Sequence, residues 1–431
     1  MTFLKGTFER KNLRIIKWVL FTLFFCLNLI QINSHFKGKY ENLIASDARG
    51  YFEYLPYVFV FHNVENMYFS YKLENGKRFD KYPCGVAMLE APFHLASLFV
   101  YNPPVDKTAS YGQSYALSVA IASSFYLAIS LVLLFSLYRK IFDIKTALIN
   151  IGILYFGTNL FYYSVFEPGM SHVYSFFCFS AFLFFLDRLF GNASFVHIFS
   201  AAFFLSLAIA VRPTNAIMAV MYPLYNVYNR KELFTRIQNL ATNFKLIIIS
   251  LITALAVFTP QFIYWYKTTG HFIFYSYGVN DESFVFWKQP KIAQVLFGVQ
   301  AGWLPYTPLM IFFFIGLFMT SANKKFHAPA IFIAFLLILY TCASWWKFNF
   351  ACAFGYRSFV EYYTIFMIPV GYIFQQAFRK TLSWKAILIF PVLVLFCYLN
   401  IRMSRGYAGG WQYCDDAFSW NDYWRMISYI F

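Results

Sequence analysis

Residues 46–57 read SDARGYFEYLPY and follow an apolar run, IIKWVLFTLFFCLNLIQIN, that carries a single lysine. On a helix, Asp47, Tyr51 and Tyr54 stand at i, i+4 and i+7 and share one face. A carboxylate at a membrane edge, walled by tyrosines, can accept a proton from a sugar or lipid hydroxyl. The plain alternative is a surface Asp47 paired with Arg49 among interfacial aromatics. Glu53 falls on another side of the same helix and is expected to tolerate change.

Three further stretches carry groups of this kind. In KRFDKYPCG, 77–85, Tyr82 precedes a proline and should be extended, and Pro83 suits the first turn of a helix. Lys81 then stands just before a helix N-terminus, where a cation and free N–H groups make a phosphate site; a snorkelling lysine is the alternative. In EPGMSHVYSF, 167–176, Glu167 and His172 share a turn. Two ligands five residues apart without a third fall short of a metal site, which leaves hydrogen bonding to a polar substrate or a capped turn. In NFACAFGYRSFVEYY, 349–363, Arg357 and Glu361 stand at i, i+4 at the start of a late apolar run. They form a local ion pair, or Arg357 grips a lipid phosphate with its planar fork. Arg212, in the RPTN break, has the same two readings, phosphate contact or helix cap.

The elements that must hold these groups are membrane helices. The 431 residues are 60% hydrophobic and 13% charged, half the charge of a soluble protein. Apolar runs of spanning length recur, and the alternation of a barrel strand is absent. The expected fold is all-α and polytopic, with about eleven transmembrane helices. They fall at 15–33, 113–137, 147–166, 173–190, two short helices within 195–228 broken at RPTN, 246–265, 298–320, 328–345, 360–377 and 386–401. The N-terminal KGTFERKNLRIIK holds five Lys/Arg against one Glu, which puts it in the cytoplasm. Segment 82–100 is long enough to span but contains Glu90, Pro92 and His94. Laid on the outer surface, it keeps Arg139, Lys140 and Lys145 inside. Residues 34–112 then form one external loop of interfacial helices, residues 1–401 one transmembrane domain, and 402–431 an external aromatic tail with Asp415 and Asp416. Nearly all carboxylates face out in this layout.

The net charge of +16 is spread over short loops, which fits the positive-inside rule and excludes a nucleic-acid surface. The seven Cys lack metal-type spacing. Cys26, Cys178, Cys342 and Cys397 lie in apolar runs; Cys84, Cys352 and Cys414 lie in loops, where a disulfide is open. The first apolar run has no small-residue cleavage site and reads as an uncleaved helix. No internal repeat or symmetric pair of broken helices points to a transporter.

The order of features resembles the GT-C superfamily of membrane glycosyltransferases, in particular the protein O-mannosyltransferase and aminoarabinose-transferase branch. There, an Asp-Glu-x-x-Tyr stretch supplies the catalytic carboxylate and a Lys-Pro-Pro stretch opens an outer-loop helix. The matching segments here are DARGYFEY and DKYPCG, with Ala48 in place of the Glu and Tyr82 in place of the first Pro. The resemblance implies sugar transfer from a polyprenyl-phosphate donor to an acceptor (lipid, glycan or protein) at the outer face of a bacterial cytoplasmic membrane. It implies Asp47 as the base, with Lys81 and Arg357 on the donor phosphate. Tyr51, Tyr54, Glu167, His172 and Arg212 are the further substrate contacts expected. No cofactor is expected and no metal ligand is assigned; a divalent metal requirement is left open. The competing function is a transporter or flippase of a lipid-linked saccharide, which would need a charged path through the bundle.

Overall fold

The computed structural model describes residues 2–320, 327–350, 353–378, 384–410 and 418–428. Cys352, Cys414, Asp415 and Asp416 lie outside the described residues; Cys84 is a free, buried thiol. Helices dominate, and one two-stranded hairpin pairs Tyr71 with Phe79 and Lys72 with Arg78. Among the described residues, five helices are long and apolar enough to cross a membrane: Asn12–Phe36, Ala109–Tyr138, Ser171–Gly191, Phe244–Thr269 and Lys385–Ala408. Shorter apolar helices cover Gly85–Val100, Ile144–Phe156, Phe195–Val211, Pro308–Thr320 and Ala328–Ala343.

The helix at Gln113–Tyr138 is the hub. Its small residues Ala116, Ala120, Ser123, Ser124 and Ala128 are buried, and it packs on the first helix, on Gly85–Val100 and on Ser171–Gly191. Helices in lipid gain little from hydrophobic burial and associate through close packing and polar clamps. Asn28 is such a clamp. Its Nδ2 donates to Ser124 Oγ at 2.9 Å and to the Ser164 carbonyl at 3.1 Å, and its Oδ1 accepts from Tyr155 Oη at 2.9 Å. The Phe244–Thr269 helix lies at the periphery, with Ile248, Leu251, Ile252 and Leu255 exposed on an apolar face suited to lipid.

Several expected spans are broken. The run 147–166 forms two helices, Ile144–Phe156 and Leu160–Val165. The carbonyls of Phe156 and Thr158, freed at the break, accept from Asn400 Nδ2 at 2.9 and 2.8 Å. The run 298–320 holds a short turn at Trp303–Tyr306 and a helix only from about Pro308, because Pro305 and Pro308 remove backbone donors. The break at RPTN occurs as expected: Phe195–Val211 ends at an extended Arg212 (φ −149°, ψ 121°), the conformation that a following proline favours. The last long helix runs to Ala408, so the aromatic tail begins later than 402. Within it, Trp420–Ser428 is helical, with Tyr423 and Met426 inward and Trp420 and Trp424 exposed.

Residues 34–112, expected to be an external loop, form a packed layer. Glu90 and His94, which made 82–100 ambiguous as a span, both point inward and are buried. Glu53 is also wholly buried, against expectation. Its carboxylate accepts from the Tyr68 and Phe69 backbone N–H groups, the second at 2.6 Å, and so ties the loop to the Asp47–Phe59 helix.

Candidate active site

Asp47 is the first residue of its helix, preceded by Ser46 at φ 53°, a left-handed conformation that costs a non-glycine residue. A carboxylate here also faces the positive end of the helix dipole. Its Oδ1 accepts from Tyr82 Oη at 2.7 Å, and its Oδ2 lies 3.3 Å from Arg357 Nη2. Arg49, the partner expected for a merely structural Asp47, instead lies over the Tyr111 ring at 4.9 Å.

Two glycines permit this convergence. A Cβ on Gly50 would stand 2.2 Å from the Tyr82 ring, and one on Gly85 would stand 2.3 Å from the Ala210 backbone. Bare backbone at both positions lets the Lys81–Pro83 segment lie between the Asp47 helix and the end of the Phe195–Val211 helix, beside Arg212. Pro83 precedes the helix rather than opening it: the helix starts at Gly85, and the Cys84 N–H donates to Gln261 Oε1 at 2.8 Å. The N-terminus behind Lys81 is thus partly satisfied by protein.

Arg357 and Glu361 do not pair, which corrects the i, i+4 expectation. They lie in a 3₁₀ turn, Arg357–Tyr362, whose three-residue period separates i from i+4. Glu361 turns inward instead. Its Oε1 accepts from Arg212 Nη1 at 2.8 Å, and its Oε2 lies 3.2 Å from His172 Nδ1. Arg212 Nη2 donates to Ser358 Oγ at 2.9 Å. Arg212 therefore has a structural partner and still lines the cavity. Lys81 is matched as well: Nζ lies 2.5 Å from Glu282 Oε1, among the rings of Tyr71, Tyr82 and Tyr277.

These groups border one cavity of about 700 Å³. Asp47, Tyr51, Lys81, His172, Arg212 and Arg357 line it, together with Tyr82, Glu282 and Lys347. Phe258, Trp265, Phe274, Phe284, Trp345 and Trp346 supply apolar wall. Two expected contacts are not brought there. Tyr54 Oη donates to the Tyr82 carbonyl at 2.6 Å, inside a separate buried cluster. Glu167 accepts from Tyr162 Oη at 3.0 Å behind the site. Tyr54 sits at i+7 from Asp47, but Tyr82 lies between it and the cavity. Sequence reading passed over Tyr82 as a proton donor and Glu282 altogether. Tyr82 was visible as a departure from the Lys-Pro-Pro pattern; Glu282 had no local signal.

Burial pushes the Asp47 carboxyl up, but Arg357, the Tyr82 hydrogen bond and Lys81 together hold it below the usual carboxylate range. Asp47 is an ionised, doubly held carboxylate. Among the described residues, no three His, Cys, Asp or Glu side chains gather as a metal site.

No protein-family model matches the chain, and no curated protein matches it in sequence. Solved structures do match. The archaeal oligosaccharyltransferase AglB from Archaeoglobus fulgidus, in complex with an inhibitory peptide and a dolichol-phosphate, aligns with a TM-score of 0.52 at 13% identity, covering 92% of this chain and 55% of that one. The apo form of the Archaeoglobus fulgidus oligosaccharyltransferase gives 0.52 at 12%, covering 91% and 56%. The chain is similar in fold to a membrane oligosaccharyltransferase. It spans little more than half the length of these oligosaccharyltransferases, and the likeness is one of fold.

Proposed function

We propose that this protein is a GT-C-type glycosyltransferase that moves a sugar from a polyprenyl-phosphate donor to an acceptor at the outer face of the membrane. The observation that carries the reading is the convergence of Asp47, Lys81 and Arg357 on one cavity with a charged end and an aromatic wall. A lipid-linked sugar phosphate has the same division of character. The AglB structure contains a dolichol-phosphate and an inhibitory peptide, and the first of these is a lipid phosphate. Convergence on a single cavity favours an enzyme over a flippase, which would need polar groups along a path through the bundle.

In the proposed reaction the donor phosphate is held by Arg357 and Lys81, with Arg212 beside them. The acceptor X–H attacks the anomeric carbon in line. Its proton passes to Asp47, the C–X bond forms, and the C–O bond to phosphate breaks with its electron pair leaving on the lipid phosphate. Asp47 then returns the proton to water. The external placement rests on about eleven spans with a cytoplasmic N-terminus. Lys107 precedes and Arg139 follows the 26-residue helix Gln113–Tyr138, which is roughly 39 Å long at 1.5 Å per residue; that length supports opposite sides of the membrane for them. Incubating membranes that contain the protein with a panel of labelled polyprenyl-phosphate sugars tests the reading: label should leave the lipid only when the protein is present. Single-cysteine labelling at 107 and 139 in a cysteine-free background tests the topology.

A further inference from the structure

Tyr82 is held on every side. Its ring passes over Gly50, where a Cβ would collide with it. It packs against the Tyr51 ring at 4.8 Å and stacks on Phe69 at 6.3 Å. Its N–H donates to Asp80 Oδ1 at 2.9 Å, and its carbonyl accepts from Tyr54 Oη at 2.6 Å. Its hydroxyl is aimed at Asp47 Oδ1 at 2.7 Å. Phe69 is itself fixed through its N–H to the buried Glu53. A chain of contacts thus runs from a buried carboxylate, through a stacked pair of rings, to the carboxylate at the cavity.

We propose that Tyr82 is a positioning residue for the transfer reaction, fixing the Asp47 carboxylate so that Oδ2 is the oxygen offered to the acceptor. The proposal rests on the glycosyltransfer reading above. The two Asp47 oxygens are not equivalent: Oδ1 is engaged by a tyrosine locked in place, and Oδ2 by an arginine that a phosphate can claim. When the donor phosphate takes Arg357, Oδ2 is freed while Oδ1 stays tied. The acceptor proton then goes to Oδ2. Burial and the neighbouring Asp47 carboxylate hold the Tyr82 hydroxyl protonated, so it remains a donor throughout and takes no proton from the substrate.

Replacing Tyr82 by Phe keeps the ring over Gly50 and removes only the hydroxyl. The charged and titratable groups that face Asp47 from other elements are Arg357, Lys81, Asp80, His172, Glu167 and Tyr277. They are the same in parent and variant, so the difference isolates Tyr82. In the full-length protein in nanodiscs, Tyr82→Phe should lower turnover by roughly ten- to a hundredfold, the worth of one hydrogen bond to a charged group. Affinity for polyprenyl phosphate should stay within about twofold, since the change leaves in place both cations proposed to hold it, Arg357 and Lys81. Loss of a donor to the carboxylate raises its pKa, so the acidic limb of the rate–pH profile should move to higher pH. In an Asp47→Asn background the same change should have no further effect. Unchanged turnover and acidic limb, or full additivity with Asp47→Asn, would overturn the proposal. A difference infrared titration of the Asp47 carboxyl, with and without Tyr82→Phe, needs no activity. If wild-type protein transfers no sugar, the functional reading fails and the role in transfer fails with it; the titration still decides whether Tyr82 controls Asp47, and an unshifted carboxyl in active protein rejects the positioning role alone.

Discussion

Nη2 of Arg357 lies 3.3 Å from Oδ2 of Asp47, although 310 positions separate them in sequence. Both side chains are mostly buried at the cavity wall, 19% and 25% exposed, and each matches the other's charge. The proposed base and the proposed phosphate ligand are therefore partners of each other. In the proposed reaction a donor phosphate would compete with Asp47 for Arg357 and so release the carboxylate to act as base.

Asp47→Asn should lower turnover at least about a hundredfold, the usual worth of a positioned base. Because the substitution removes the competitor for Arg357, affinity for polyprenyl phosphate should hold or rise. Steady-state transfer and lipid-phosphate titration, measured on the same preparation, check both halves; full activity in the variant would remove Asp47 from the chemistry.

Arg357→Ala and Lys81→Ala should each weaken binding of polyprenyl phosphate. Loss of one charge-assisted contact costs about 1.5–3 kcal/mol, roughly ten- to a hundredfold in affinity. Arg357→Lys should recover only part of it, since an ammonium lacks the two-pronged fork. Equal affinity in all three variants would return both cations to a structural role.

Glu361→Gln should act on stability. Glu361 is 1% exposed and holds Arg212 at 2.8 Å and His172 at 3.2 Å. Removing one member of a buried ion pair leaves an uncompensated charge and costs about 3–5 kcal/mol. Thermal unfolding in detergent should show a large drop, whereas Arg425→Gln, at an exposed pair with Asp422, should leave the midpoint where it was. Equal midpoints for wild type and Glu361→Gln would contradict the buried-pair account.

Stability should also depend on pH through Glu167. Burial pushes its carboxyl up from the usual 4.5 to about 7, with Arg357 and the Tyr162 hydrogen bond pulling the other way. The folded state binds this proton more tightly than the unfolded chain. The stabilising contribution is therefore complete below about 4.5 and is lost as pH rises through about 7. Melting midpoints across that window should decline for wild type and flatten for Glu167→Gln; parallel curves would show that Glu167 does not set the trend.

Composition and the length of the apolar runs were enough to identify a helical membrane protein, because hydrocarbon admits only helices or closed barrels and imposes their length. The RPTN break was equally plain, since a proline dictates the backbone on both sides of it. Asp47, Lys81 and Arg357 stand out as charged groups beside apolar runs, and they do share a cavity. Their partners did not stand out. Local spacing offered Glu361, four positions away, as an ion-pair partner for Arg357, and Arg49 as the alternative partner for Asp47. The structure pairs Arg357 with Asp47, Glu361 with Arg212 and His172, and Lys81 with Glu282. Local spacing decides partners only when the backbone is a regular helix, and the Arg357–Tyr362 stretch is a 3₁₀ turn. Glu53 and Tyr54 were misjudged for a related reason. Helical phase tells which residues share a face, but not that the 60s loop and Tyr82 would cover that helix. What covers a face depends on contacts between segments far apart in sequence, and those arise only when the chain is packed.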